Sequence, residues 1–107
     1  MDKNLLSTYK SVIENCKGIE LKGKTTPYTS ANGHMFSFIN KENQLGFRFD
    51  KKVQEKYIQE WPSTYLYSHG SKMKGYVLIP EDMLDDLEAL TKYLQESHEY
   101  VCSLPAK

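Results

Sequence analysis

The sequence predicts an α+β domain: a single antiparallel sheet of four to five strands in two hairpins, packed with three helices in the order α-β-β-α-β-β-α. Three observations carry this. Three segments repeat apolar residues at helical spacing. Between them lie pairs of short β-prone runs separated by compact polar turns. Connections that short join antiparallel neighbours, because parallel strands need a crossover of about a dozen residues or more.

The first helix is expected from Lys3 to Cys16. Leu5, Leu6, Tyr9, Val12, Ile13 and Cys16 fall on one side, polar residues fall between them, and Gly18 follows as a stop. Ile19-Glu20-Leu21 is a candidate short strand. The stretch from Thr25 to Gly33 is dense in turn formers, and Thr26 precedes a proline, which disfavours helix. It is expected to be an exposed connection, the kind of segment that carries binding residues. Met35–Ile39 and Gln44–Phe49 flank the polar turn Asn40–Asn43 as a first hairpin. Leu45, Phe47 and Phe49 alternate with Gly46 and Arg48, which gives the second strand one apolar face.

Asp50 is placed to cap a second helix, with Val53, Tyr57 and Trp61 on one side and Pro62 at its end. Tyr65–Ser68 and Gly75–Ile79 form a second hairpin, joined around residues 69–72. The last helix is expected to begin near Glu81, with Met83, Leu87, Leu90, Leu94, His98 and Val101 as its stripe. Glu81, Asp82, Asp85 and Asp86 would sit at its start, where the helix dipole favours negative charge. The whole chain, 1–107, is long enough for one domain with one sizeable core.

Composition narrows the function. Fourteen basic side chains balance fourteen acidic ones, whereas a nucleic-acid binder usually carries a basic excess. Cys16 and Cys102 lie far apart with no Cys-x-x-Cys partner, and read as small buried apolar groups. The N-terminus has no apolar signal pattern, and no run approaches membrane-spanning length. A cytoplasmic protein with reduced thiols and no membrane contact is expected.

Motifs for catalysis fail on context. Gly18–Thr25 fits the literal pattern G-x-x-x-x-G-K-[ST], but a phosphate loop needs a strand before it and a helix after it. Here a helix is expected before it and Thr26-Pro27 stands after it. The acidic run from Glu81 to Glu88 has no glycine-bearing calcium loop around it. His34, His69 and His98 are widely spread, and His98 reads as a core-edge residue with a local hydrogen bond. No catalytic residue, metal ligand or cofactor site is assigned, and no enzymatic activity is expected.

A binding surface is easier to place. Phe47-Arg48-Phe49-Asp50-Lys51-Lys52 interleaves aromatic and basic residues, but alternation sets Phe47 and Phe49 opposite Arg48, as in a core strand. If the hairpins pair, Lys72 and Lys74 come beside Arg48 and Lys51 as a small basic patch. The candidate surface comprises Tyr28, His34, Arg48, Tyr67, His69 and Lys72, from the 25–33 loop, the turn near 69 and their neighbours.

The segment Gly70–Glu81 also resembles the N-terminal domain of the TfoX/Sxy family. The family's Met-x-x-Tyr is matched by Met73-Lys74-Gly75-Tyr76, its Pro-Glu by Pro80-Glu81, and its Leu-x-Asp-x-x-x-Leu helix start by Leu84–Leu90. Ser97–Pro105 is similar to the ending of short members, and Asn32–Phe36 to the start of the family's first hairpin. Thr25-Thr26-Pro27-Tyr28 departs from the family's Met-Phe-Gly or Gly-Tyr-Pro segment. The likeness covers the first domain of the two-domain members. It implies a small regulatory or protein-interaction module related to competence regulators, partnered by a transcription factor or another protein. It implies no catalytic residue. The alternative is a small-molecule or nucleic-acid binding module that uses the 25–33 loop and the turn near 69.

Overall fold

The computed structural model describes residues 5–23, 26–61, 65–68 and 70–105. Helix α1 (Leu5–Glu14) buries Leu5, Tyr9, Val12 and Ile13 of the positions its spacing set on one side, while Leu6 is 38% exposed and Cys16 is buried just past its end. The chain then turns at Gly18 with φ +76, a left-handed conformation that glycine adopts without steric cost. Ile19–Leu21 does not form a strand. Ile19 is buried in the core, and Lys22 makes an isolated antiparallel bridge to Tyr28.

Strands β1 (Tyr28–Ala31), β2 (His34–Ile39) and β3 (Leu45–Arg48) form an antiparallel meander. Strand β1 corrects the expectation of an exposed connection over 25–33, of which Thr25 lies outside the described residues. Thr29 at its centre is 0% exposed. The signal was Asn32-Gly33, whose φ values of 57 and 81 make the two-residue turn between Ala31 and His34. Asn-Gly is the preferred pair for such a hairpin because both positions need positive φ.

Asp50 caps helix α2 (Lys51–Glu60), its carboxylate accepting from Lys52 N–H at 3.1 Å. Strands β4 (Tyr65–Ser68) and β5 (Ser71–Leu78) complete a five-stranded sheet of order β1-β2-β3-β5-β4. Helix α2 therefore carries the chain past one strand position, and β5 returns into the gap between β3 and β4. The β4–β5 register shifts between Tyr65 and Tyr67, and Gly75 on β5 has φ +83.

The last helix starts later than expected. Glu81–Asp85 is a 3-10 helix, and helix α3 runs Leu87–Cys102. Asp86 is its cap, accepting from Ala89 N–H at 3.1 Å. Aspartate gains more by capping than by extending a helix, since its carboxylate satisfies a backbone donor that would otherwise be unpaired. Leu87 lies immediately after the cap and is 40% exposed, and the buried stripe is Leu90, Leu94, Ser97 and Val101. Among the described residues, no helix is long and apolar enough to cross a membrane.

Helix α3 lies across β1, β2 and β3 with α1 beside it, over a core that includes Phe36, Phe47 and Val77. The opposite face carries a smaller cluster of Phe38, Leu66 and Tyr76, ringed by Tyr28, Met35, Met73 and Leu78. Leu66 reaches it because Gly46 has no side chain: a Cβ there would collide with the Leu66 side chain. The Asn40 amide donates to Tyr67 O at 3.1 Å and holds β4 in place.

Buried polar groups are paired. Tyr9 Oη meets Ser37 Oγ at 2.5 Å, and Ser37 Oγ also meets Thr29 Oγ1. Ser97 Oγ stands within hydrogen-bonding distance of Phe36 O, at 3.1 Å, and of Arg48 O. Among the described residues no buried side-chain nitrogen or oxygen lacks a partner, which avoids the desolvation cost of about 1–3 kcal/mol per orphaned group.

Candidate functional site

Where α2, β4, β5 and α3 converge, they leave a half-open cleft of about 340 Å³. Arg48 and Phe49 enter from the end of β3, and Lys51, Gln54 and Glu55 from the first turns of α2. Tyr65 comes from β4, Lys72, Lys74 and Gly75 from β5, and Tyr100 from α3. Among the described residues, four cations thus face one carboxylate. A concave site lined by one sign of charge focuses the field and draws in the opposite sign.

Local rules place each group. Alternation along β3 buries Phe47 and turns Arg48 to the other face. The Arg48 stem then crosses Gly75, where an added Cβ would lie 3.2 Å from Arg48 Cγ and 3.1 Å from Phe49 O. Phe49 N–H donates to Gly75 O at 2.8 Å and fixes that approach. On α2, Gln54 is buried because its amide Nε2 donates to Tyr76 O at 3.0 Å, tying the helix to β5.

Rings join α2 to α3. Tyr57 stacks on Trp61 with centroids 4.3 Å apart and planes at 7°. Tyr93 packs against both, and Tyr57 Oη donates to Glu96 at 2.8 Å. Inside the cleft, cations rest on phenol rings. Lys72 Nζ is 4.3 Å from the Tyr65 centroid, and Arg48 Cζ is 5.8 Å from that of Tyr100. Such contacts are worth about 0.5–1 kcal/mol at exposed sites. An exposed ion pair is worth about 0.2–1 kcal/mol, so an entering anion competes with the ring for Lys72 on comparable terms.

Of the six sequence-predicted binding residues, the five that the structure describes do not all line one cleft. Arg48 and Lys72 line the cleft, and Lys51 and Lys74 join them as the expected basic patch. Tyr28 is half-buried on β1 against the Phe38 cluster. His34 places Nε2 2.9 Å from Pro105 O and helps hold the segment after α3. Tyr67 is 50% exposed on β4 and does not line the cleft. His69 lies outside the described residues. Sequence reasoning missed Tyr65 and Tyr100. Tyr65 was readable only from hairpin register, and Tyr100 had no local signal because the docking of α3 delivers it.

The remaining candidates resolve individually. Cys16 is buried, which pushes its thiol above the ordinary value. Cys102 is exposed, contrary to expectation, with Sγ 3.6 Å from His98 Nε2 one helical turn away. His98 is half-buried against Phe36, with ring centroids 5.4 Å apart, as its place on the stripe predicted. The G-x-x-x-x-G-K-[ST] match has α1 before it and β1 after it, without the strand–loop–helix context. Among the described residues no group of three or more His, Cys, Asp or Glu is placed to hold a metal ion. No protein-family model matches the chain, and no curated protein matches it at a significant level.

Proposed function

We propose that the protein is a small non-enzymatic binding module that acts in regulation, with the α2–β5–α3 cleft holding an anionic ligand. The observation that carries this is the lining: Arg48, Lys51, Lys72 and Lys74 against Glu55, in about 340 Å³ with aromatic walls. That volume falls in the usual small-molecule range of about 300–1,000 Å³. The cleft thus favours a ligand-binding role over direct reading of nucleic acid along an extended surface. The regulatory role rests on the likeness to the TfoX/Sxy N-terminal domain. Two residues of that likeness, Met73 and Tyr76, lie on β5, the strand that also carries Lys72 and Lys74. In this reading the protein works in the cytoplasm, and ligand occupancy alters its contact with a transcription factor or another protein.

Titration of labelled protein with inorganic phosphate and sulfate, followed by amide NMR shifts, tests the cleft. Shifts are expected to concentrate at residues 48–55 and 72–75 and to saturate. Lys72 and Lys74 are exposed, so Lys72→Gln and Lys74→Gln keep the fold. Each should weaken binding about tenfold, which corresponds to about 1.4 kcal/mol. Shifts spread evenly over the surface, or none, would sink the proposal.

A further inference from the structure

Resting on that anion-binding reading, we infer that the cleft is built for a nucleoside monophosphate, either free or at the phosphorylated end of a strand. A site for bare phosphate needs only donors, yet this cleft offers three kinds of group. Lys72, Lys74, Arg48 and Lys51 supply charge for a phosphate. Tyr65 and Tyr100 supply flat, half-buried phenol walls. The Glu55 carboxylate supplies acceptor oxygens. An acidic peptide has no use for Glu55, which repels it. A nucleotide uses all three: its phosphate meets the cations, its base meets a ring, and its amino or hydroxyl groups meet the acceptors.

The cation–π contact couples two of these steps. Lys72 Nζ now covers the Tyr65 ring at 4.3 Å. A phosphate that recruits Lys72 lifts the ammonium from the ring and exposes that face to a base. Ring and phosphate therefore bind better together than either does alone. The balanced charge of fourteen against fourteen and the size of the cleft fit one nucleotide and not a tracked strand.

Calorimetric and NMR titrations with adenosine 5′-monophosphate, adenosine, inorganic phosphate and a 5′-phosphorylated dA tetramer test this. The monophosphate is expected to bind at least tenfold tighter than phosphate and than adenosine. Tyr65→Leu should erase the advantage over phosphate while phosphate binding stays within about twofold, which also reports an intact cleft. Tyr65→Phe should keep the advantage. A tetramer that binds more tightly than the monophosphate assigns the strand end, and one that binds equally or less tightly assigns the free nucleotide. Monophosphate and phosphate binding alike, with both sensitive to Lys74→Gln, overturns the inference and leaves the anion site standing. No binding of any phosphate or sulfate overturns both.

Discussion

Gly75 sits in β5 at φ +83 with the Arg48 stem across its Cα. Two of the four cleft cations depend on it, because Arg48 needs the space and Lys74 is its chain neighbour. An L-residue at positive φ costs about 1–2 kcal/mol, and a Cβ would press on Phe49 O at 3.1 Å. Gly75→Ala should therefore lower stability by about 1–2 kcal/mol in urea denaturation and weaken phosphate binding, although it removes no charge. Unchanged phosphate affinity in that variant would show that the Gly75 conformation does not set the cleft. At this scale Arg48 was legible, since Phe47 and Phe49 beside it fixed which way it turned. The role of Gly75 was not, because glycine in a strand signals a close approach without saying what approaches.

Among the elements, α3 and β1 departed most from expectation, and for opposite reasons. Four acidic residues crowd the segment before α3, and any of the aspartates suits a cap. The chain uses Asp86, which lets Leu90, Leu94, Ser97 and Val101 face the core together. Asp86→Ala should cost about 1 kcal/mol, read as a lower urea midpoint with an unchanged slope, and Asp86→Asn should restore most of it. An Asp86→Ala protein as stable as the parent would place the helix start elsewhere. Strand β1 was hidden by Thr25-Thr26-Pro27, whose loop character masked the Asn32-Gly33 hairpin signal a few residues on. Helix α2 was legible from its cap, but the burial of Gln54 was not, since only β5 supplies the Tyr76 carbonyl it binds.

For the whole molecule, the tyrosines report packing. Burial pushes the Tyr9 phenol up to about 12, against the opposing pull of hydrogen bonds from Ser37 and Thr29. Tyr57 is raised by burial and then by its hydrogen bond to Glu96 and nearby negative charge. Tyr76 is raised by burial despite the charge of Arg48. Below pH 10 these phenols are neutral folded or unfolded, so they leave stability flat with pH. Above pH 10 the unfolded chain loses these protons while the folded chain keeps them, so stability falls through the window up to about 12 for Tyr9. Absorbance at the phenolate band should show at least three of the eight tyrosines failing to ionise near pH 10. Those should ionise only as the protein unfolds. Eight tyrosines titrating together with flat stability would contradict this packing.

By itself the sequence determined the α+β class, the existence of three amphipathic helices, the β2–β3 hairpin, the Asp50 cap and the side of β3 on which Arg48 stands. These follow from periodicity and from contacts within one or two turns of chain, which a sequence states directly. Only the tertiary structure decided that β5 inserts between β3 and β4, that Leu66 closes over Gly46, and that Tyr65 and Tyr100 wall the basic cleft. Those are contacts between residues far apart in sequence. They form because burying the two faces of one sheet leaves few ways to lay three helices and a hairpin around it, and local chemistry alone does not choose among them.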